Sequence, residues 1–436
     1  MMKNTENILG KVLVAAMLFT FHLSPFTLMA QSGVWTLYNT KNSDIGGNNI
    51  SAIAADSKGV WVGTYQGLCR LNNGSWLDYA MFNEKLKDQS VNCLMVDKRG
   101  VVWIGTDDYG VIEFDGTHWT EYATETRRLK MKFIKEITQD KDGVFWIGVT
   151  LGGLISYDGY TWEKYTPEDC GLLSDFILDL AVDRANRKWI TTNAGVSVFN
   201  DRRWVSYTVE NSGLPDNIVP AVAIDNNNVK WFGTLNGLAS FDGEEWHIWN
   251  TANSPLPSNQ VNDLVFDADG LLWIATANGA AVFDGESRWV VFTSKNSQLP
   301  SGNIYKVSVS RQGDVWFGSD TKGLAKLSNF VMPAPETTTP AATETEQSQE
   351  PTPAVQQPAG EEHVRINPHL AEGYITITIE SPSATVTFTN KAGKVVKTVT
   401  NYRNNQKIMI NKMAKGMYVV GVATARGEKK IKFNLK

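Results

Sequence analysis

Short apolar stretches separated by tight-turn sequences recur along residues 31–331. One such unit contains Val91–Asp97, Val101–Thr106, Val111–Phe114 and Trp119–Tyr122. Glycine supplies the positive φ that the turns need, and an Asp-Gly pair favours a hairpin. The second stretch is apolar at both alternating sets of positions, as expected of a strand that is covered on both faces. The pattern therefore predicts four antiparallel strands, of which the second is buried between neighbouring sheets.

This four-strand unit occurs seven times, and tryptophan marks its frame. One series lies in the second strands at intervals of 42 or 43 residues: Trp61, Trp103, Trp146, Trp189, Trp231, Trp273 and Trp316. A second series lies in the fourth strands: Trp35, Trp76, Trp119, Trp162, Trp204, Trp246 and Trp289. Four antiparallel strands per unit of this length are typical of a β-propeller blade. We therefore predict an all-β fold, a seven-bladed β-propeller whose core contains the first series.

The two ends of the repeat region are incomplete units. Trp35–Tyr38 has the pattern of a fourth strand that lacks the first three, whereas the last unit, Trp316–Leu327, lacks a fourth strand. Pairing the two would complete the seventh blade and remove two exposed sheet edges. We expect the N-terminal strand to close the ring in this way.

Residues 1–30 have the pattern of a signal peptide. Lys3 and Lys11 precede the apolar run Val12–Phe21, and the segment ends at Ala30, followed by Gln31. A basic start, an apolar run and a small residue at the cut define such a segment. The run is too short for a membrane span of about 20 residues. We expect cleavage between Ala30 and Gln31 and no transmembrane segment in the mature chain.

The region after the propeller changes character twice. Residues 332–362 contain six glutamates, many prolines and threonines and no basic residue, which predicts a disordered linker. Residues 363–436 return to strand patterns, and their 13 Lys and Arg against 3 Glu give a net charge of +10. The net charge of the whole chain is −5, so residues 31–331 are acidic and the two folded regions differ in sign.

Composition narrows the functional classes. The 436 residues are 42% hydrophobic and 20% charged, as in globular proteins, and the acidic balance argues against a nucleic-acid binder. Three cysteines are too few for a disulfide scaffold, and Cys69 and Cys93 are predicted to be buried thiols inside strands. Asp140–Gly143 and Asp267–Gly270 lack the downstream glutamate of a calcium loop, so we interpret them as structural turns. No metal or cofactor is expected.

Three motifs recur in register within the repeats. They are Asp-x-x-Gly-x-x-Trp-x-Gly-Thr at Asp97–Thr106, Gly-Leu-x-x-Phe-Asp-Gly at Gly237–Gly243 and Asn-Ser-x-Leu-Pro at Asn211–Pro215. With these motifs, Trp35–Leu327 resembles the two-component regulator propeller repeat family. Such propellers are often periplasmic sensors joined to histidine kinases, as the resemblance implies. No kinase segment follows here, so we expect no signalling through the same chain.

The C-terminal region resembles the type A C-terminal sorting domain of the type IX secretion system of Bacteroidota. Residues that carry the resemblance include Gly393, Gly416, Tyr418, Lys429 and Lys430. It implies an immunoglobulin-like β-sandwich at residues 363–436 that engages the secretion machinery. It also implies passage through the periplasm to the cell surface or the extracellular space.

Polar side chains gather on one face of the predicted propeller. In a four-stranded meander, the second-to-third turns and the connectors between blades lie on the same face, and the innermost strands begin at the channel mouth. The candidate ligand-binding residues there are Asn92, Asp107, Asp108, Tyr109, Arg127, Arg128, Lys135, Glu136, Asp179, Asn262, Asp263, Tyr305, Lys306 and Asp320. They are consistent with a wet, ligand-accessible funnel, and the alternative is a solvated rim without a specific ligand. The basic connector with Arg127 and Arg128 would favour an anionic partner such as an acidic glycan, if it binds anything.

Candidates for catalysis are few. His118 and His247 lie beside fourth-strand tryptophans, away from the predicted funnel. A general base in the channel would have to be Glu136, Asp179 or Asp263. Because no nucleophile or histidine accompanies them at the rim, we expect no enzymatic activity.

Three functions remain open at this point. The first is an exported, surface or secreted propeller that binds a glycan or peptide without chemistry. The second is an accessory component of the type IX secretion or surface-attachment machinery that docks partners through the propeller. The third is a propeller enzyme of the polysaccharide lyase type that uses rim carboxylates.

Overall fold

A computed structural model describes residues 33–56, 58–122 and 131–333, and the strands between residues 365 and 435. The chain divides into two compact units, residues 1–338 and 339–436. The predicted signal peptide with Ala30 and Gln31, the connector residues Arg127 and Arg128, most of the linker and Gly393 lie outside the described residues. No helix in the described part of the chain is long and apolar enough to cross a membrane.

Seven four-stranded antiparallel sheets form the first unit, which confirms the predicted seven-bladed propeller. Blade 1 contains β2 (Ile50–Ala55), β3 (Gly59–Thr64), β4 (Gly67–Asn72) and β5 (Ser75–Asp78), and blade 2 contains β6 (Val91–Val96), β7 (Val102–Thr106), β8 (Val111–Phe114) and β9 (Trp119–Tyr122). Blade 3 contains β10 (Ile134–Gln139), β11 (Phe145–Val149), β12 (Gly153–Tyr157) and β13 (Trp162–Tyr165), and blade 4 contains β14 (Ile177–Val182), β15 (Lys188–Thr192), β16 (Gly195–Phe199) and β17 (Trp204–Tyr207). Blade 5 contains β18 (Ala221–Ile224), β19 (Lys230–Thr234), β20 (Gly237–Phe241) and β21 (Trp246–Trp249), and blade 6 contains β22 (Val261–Phe266), β23 (Leu272–Thr276), β24 (Gly279–Phe283) and β25 (Trp289–Phe292). Blade 7 contains β26 (Ile304–Val309), β27 (Val315–Ser319), β28 (Leu324–Ser328) and β1 (Val34–Tyr38), and two short 3₁₀ helices, Tyr79–Met81 and Glu84–Leu86, lie between blades 1 and 2.

The first tryptophan series lies in the core between blades, as predicted. Trp103 is 2% exposed, and its ring centre lies 5.6 Å from that of Tyr122 and 3.9 Å from that of Phe145 in the next blade. The second strands are buried on both faces because each blade packs against two neighbours. The frame tryptophan therefore joins its own sheet to the following one.

The Asp-containing turns hold second-strand tryptophans in place. Asp267 Oδ1 accepts hydrogen bonds from the backbone N–H groups of Asp269 and Leu271, at 3.0 and 2.9 Å. Its Oδ2 accepts a 2.8 Å hydrogen bond from Trp273 Nε1. Asp140 makes the same three kinds of contact, including one to Trp146. The turn carboxylates are therefore engaged within the fold.

The N-terminal strand closes the ring, as predicted. β1 pairs antiparallel with β28 from Val34 opposite Ser328 to Tyr38 opposite Leu324. The Trp35 ring stacks on Phe317 of the same blade, with ring centres 5.7 Å apart. The seventh blade is thus built from both ends of the repeat region.

The second unit is a pair of sheets with one core. The sheets have the orders β29-β30-β33 and β32-β31-β34-β35. Their strands are β29 (Arg365–His369), β30 (Tyr374–Thr378), β31 (Ala384–Asn390), β32 (Val395–Tyr402), β33 (Ile408–Met409), β34 (Gly416–Thr424) and β35 (Gly427–Leu435). Ile375 and Ile408 from the small sheet pack in one cluster with Phe388, Tyr418 and Val420 from the large one. Tyr418 is therefore a core residue, Gly416 begins β34, and Lys429 and Lys430 lie on β35.

Candidate functional site

A bulge near the start of the innermost strand shapes the channel mouth. In six blades the pairing register shifts after the first residue of this strand, as between Ile134 and Glu136 in blade 3. A bulge leaves one residue unpaired and redirects its side chain. The unpaired residues in blades 1, 2, 3 and 7 are Ser51, Asn92, Lys135 and Tyr305.

These four bulge residues line one cavity of about 180 Å³ at the channel mouth. The remaining lining residues are Tyr65, Asp107, Phe133, Ile134 and Thr150. Blades 1, 2, 3 and 7 contribute to the cavity, whereas blades 4, 5 and 6 do not. Of the predicted ligand-binding residues, Asn92, Asp107, Lys135 and Tyr305 are brought together here.

Hydrogen bonds connect the polar side chains that line the cavity. Lys135 Nζ donates a 3.1 Å hydrogen bond to the Tyr305 hydroxyl, so blades 3 and 7 meet across the channel. The Lys135 ammonium lowers the pKa of Tyr305. Asn92 Nδ2 donates to Asp107 Oδ1 at 2.5 Å, and Ser51 Oγ donates to the Val91 carbonyl at 2.6 Å.

Two aromatic side chains of the cavity lining are exposed to solvent. Tyr65 is 54% exposed and Phe133 is 47% exposed. Phe133 has a φ of +54°, in the left-handed region that favours glycine. Two backbone hydrogen bonds fix it there, from Phe133 N–H to the Asp107 carbonyl at 2.8 Å and from Thr150 N–H to the Phe133 carbonyl at 3.0 Å. The chain thus holds a strained aromatic residue at the mouth.

Four further candidates lie one residue beyond the bulges and form a charged cluster. Lys306 Nζ is 3.7 Å from Asp263 Oδ1. Asp179 Oδ2 accepts a 2.7 Å hydrogen bond from Val222 N–H of blade 5, and Asp263 Oδ2 accepts one of 2.9 Å from Val307 N–H of blade 7. These two carboxyl groups therefore connect neighbouring blades. None of the four, Glu136, Asp179, Asp263 and Lys306, is among the residues that line the cavity.

Burial dominates the titration of this cluster. It raises the pKa of Glu136, and burial together with the Glu136 charge raises the pKa of Asp179 to about 8. Burial opposes the charge of Lys306, but the carboxylates of Asp263, Glu136 and Asp179 outweigh it and raise the Lys306 pKa. Burial therefore shifts Asp179 toward its protonated form.

The other candidates on this face have their own partners. Asn262 Nδ2 donates to Asn303 Oδ1 and to the Ile304 carbonyl, at 3.0 and 2.8 Å. Asp320 accepts a 3.2 Å hydrogen bond from Asn303. Asp108 pairs with Lys132 at 3.2 Å, and Tyr109 is exposed beside it in the chain. His118 is exposed and contacts Asp115, outside the cavity lining.

The cavity includes residues that the sequence analysis did not select. Ser51, Tyr65, Phe133, Ile134 and Thr150 complete the lining. Phe133 precedes the innermost strand of blade 3, and the equivalent residue is polar in blades 1, 2, 6 and 7 but apolar in blades 4 and 5. The polar residues are Asn49, Ser90, Gln260 and Asn303, and the apolar ones are Phe176 and Ile218. What distinguishes Phe133 is its positive φ, which the residue type does not reveal.

Two family models match the chain. Residues 44–66, 85–108 and 255–278 match the two component regulator propeller, and residues 366–436 match the secretion system C-terminal sorting domain. The protein therefore carries two component regulator propeller repeats followed by a type IX sorting domain. Such a sorting domain directs export to the cell surface or outside the cell in Bacteroidota, which confirms the predicted localisation.

Solved structures share the fold at low identity. The extracellular domain of a protein described as a hybrid two component system from B. thetaiotaomicron is 17% identical, with a TM-score of 0.61, over 92% of this chain and 57% of that one. PorZ, described as an essential surface component of the type-IX secretion system of Porphyromonas gingivalis, is 17% identical, with a TM-score of 0.54, over 89% and 59%. A streptogramin B lyase is 16% identical, with a TM-score of 0.57, over 68% and 98%. The chain thus spans less than two thirds of the first two structures, and no curated protein matches it in sequence.

Proposed function

We propose that the protein is an exported β-propeller that binds a glycan or a peptide at the mouth cavity and carries out no reaction there. The observation that carries the proposal is Phe133, an exposed aromatic residue with a left-handed backbone inside the cavity lining. Such a conformation costs about 1–3 kcal/mol in a non-glycine residue. Asparagine or glycine would relieve it, so folding alone gives no reason for phenylalanine here.

A ligand contact would account for both the strain and the exposure. Strained residues cluster at binding sites, where the surrounding structure holds them in place. The two backbone hydrogen bonds of Phe133, with the Asp107 carbonyl and with Thr150 N–H, supply that restraint. Phe133 and Tyr65 would give a ligand two aromatic surfaces, and Asn92, Lys135 and Tyr305 would give it polar partners.

The carboxyl groups favour binding over catalysis. A general base must be ionised and within reach of the proton that it removes. Burial raises the pKa of Glu136 and of Asp179, which favours their neutral forms, and Asp263 is held by Lys306 and Val307. All three lie outside the lining of the cavity. A polysaccharide lyase is therefore the weaker interpretation, and turnover would overturn the proposal.

A docking role in the secretion machinery is the second candidate. It is supported by the sorting domain and by the shared fold with PorZ, which is described as a surface component of that system. In that case the mature protein would keep the sorting domain through Lys436. Mass spectrometry of the protein from the cell surface distinguishes this from cargo that loses its tail.

The test of the proposal is a screen of the mature full-length chain against glycans and peptides. The screen compares wild type with Phe133→Ala and with the control Tyr160→Ala. Tyr160 is 86% exposed, belongs to the same blade and lies outside the cavity lining. We expect a ligand that binds wild type and Tyr160→Ala alike and that Phe133→Ala weakens at least about tenfold. Equal binding by all three proteins would contradict the assignment of the cavity.

A further inference from the structure

We infer that the mouth cavity takes one uncharged sugar residue, whose hydroxyl groups bond to Lys135 and Asp107 together. This inference rests on the proposed function and narrows the ligand from a glycan or peptide to a neutral glycan. It follows from the charges in the cavity lining, the hydrogen-bonding capacity of its side chains and its size.

The lining contains one cation and one carboxylate that do not neutralise each other. Lys135 Nζ bonds to Tyr305, and Asp107 Oδ1 accepts from Asn92. Among the described residues, neither Lys135 nor Asp107 takes part in an ion pair. An ionic ligand would gain from one of these groups and be repelled by the other. A neutral ligand can use both.

The surrounding charges point the same way. Asp263 and Lys306 form an ion pair beyond the bulges, and burial raises the pKa of Glu136 and of Asp179. This cluster therefore adds no net positive charge that would draw an anion toward Lys135. A cation would be repelled by Lys135 at the mouth. The acidic glycan expected from the basic connector is therefore the less favourable ligand for the cavity itself.

Hydrogen-bonding capacity then favours a sugar over a peptide backbone. Lysine can only donate and a carboxylate can only accept, whereas a hydroxyl group does both at once. Adjacent sugar hydroxyls can therefore accept from Lys135 and donate to Asp107. A peptide group needs its N–H and C=O, which point in opposite directions, to reach the two residues. The hydroxyls of Tyr65 and Thr150 add further groups that can donate or accept.

Size favours a small occupant such as a single ring. The cavity has a volume of about 180 Å³. Pockets for drug-sized ligands start near 300 Å³. The exposed faces of Tyr65 and Phe133 can cover the apolar face of a single ring. The rest of the glycan would remain outside, so the cavity would recognise a chain end.

Calorimetry with defined oligosaccharides tests the inference. The probes are neutral hexose and N-acetylhexosamine trisaccharides, the matching uronic acid trisaccharides, and short peptides with asparagine or glutamine ends. We expect a neutral trisaccharide to bind. Lys135→Met and Asp107→Asn should each weaken it about tenfold or more, because each removes a charged hydrogen-bond partner.

Lys132→Met and Glu168→Gln are the controls. Both residues are exposed and lie outside the cavity lining, so both variants should bind as wild type does. Tighter binding of a uronic acid or of a peptide, weakened by Phe133→Ala, would overturn this inference and leave the proposed function intact. If no probe shows binding that Phe133→Ala weakens, the proposed function fails as well. Thermal melting of each variant separates loss of binding from loss of fold.

Discussion

The connectors that lead into blades 5, 6 and 7 differ from the one that leads into blade 2, although the same repeat precedes and follows each. In the former, an Asn-Ser pair closes the loop on its own backbone. Asn253 Oδ1 accepts from Asn250 N–H at 2.8 Å, and Asn253 Nδ2 donates to the Ile248 carbonyl at 3.0 Å. The connector into blade 2 instead has two 3₁₀ turns, and its Met81 is 80% exposed.

Most of the cavity lining, six of its nine residues, belongs to the irregular side, blades 2 and 3, whose connectors lack the Asn-Ser pair. Ser51, Tyr65 and Tyr305 come from blades 1 and 7, which follow closed connectors. Closed connectors use their side chains to satisfy backbone groups, whereas the connector into blade 3 ends in the exposed Phe133. The left-handed backbone at Phe133, which its equivalents before the other innermost strands do not share, therefore locates the site better than the regular pattern of the repeat does.

The largest expected effect concerns the buried second-strand tryptophans, which should stabilise the blades with an Asn-Ser connector and the blades without one alike. Trp103→Ala and Trp231→Ala remove buried rings from blades 2 and 5, and neither indole N–H has a hydrogen-bond partner among the described residues. Each substitution should lower the free energy of unfolding by about 3–5 kcal/mol, through lost burial and a cavity. Urea unfolding of the two variants measures it. An unchanged curve for Trp103→Ala would refute its core role, and a large difference between the variants would show that the two sides are not equally built.

The next effect concerns the turn that supports the frame in blade 6. Asp267→Ala removes the acceptor of Trp273 Nε1 and of two backbone N–H groups. A buried donor left without a partner costs about 1–3 kcal/mol, so we expect a loss of about 2 kcal/mol. Asp269→Ala in the same turn is the control and should change stability by less than about 0.5 kcal/mol. Equal losses in both variants would mean that the indole bond contributes nothing.

The charged cluster gives a pH-dependent effect. The pKa of Asp179 is about 8 in the folded protein, above the usual value near 4, so the native state holds the proton more tightly. Raising the pH from about 4 to about 8 should therefore reduce stability. The amide introduced by Asp179→Asn cannot release a proton and still offers an oxygen to Val222 N–H. This variant should be more stable than wild type by about 1 kcal/mol near pH 8.5, with little difference near pH 4.

Thermal unfolding across this pH range measures the difference. Glu136, whose pKa burial raises, still titrates in the variant, so the slope should become smaller and not vanish. Asp269→Asn, in an exposed turn, should leave the slope as it is in wild type. A wild-type slope in Asp179→Asn would show that another group carries the proton.

The sequence predicted the fold more completely than the site, for physical reasons. Trp61, Trp103 and their equivalents pack between blades in the same way in all seven repeats. Their regular spacing in the sequence therefore predicts the fold. The bulges have no such signature, because they depend on how each inner strand pairs. They bring Lys135 and Tyr305 to the same cavity and leave Asp179 to bond to the next blade. A search for polar residues also passes over Phe133, whose role depends on its backbone angle.

The smallest expected change in stability tests most directly whether Phe133 serves ligand binding or the fold. Phe133→Asn replaces a strained residue by one that tolerates the left-handed region, while the loss of the exposed ring removes little burial. We expect the free energy of unfolding to stay the same or to rise by up to about 1 kcal/mol, while ligand binding falls. Urea unfolding and calorimetry on the same preparation measure both quantities. A loss of more than about 1 kcal/mol would mean that Phe133 serves the fold as the frame tryptophans do, and the strain argument for a binding site at the irregular side would then fail.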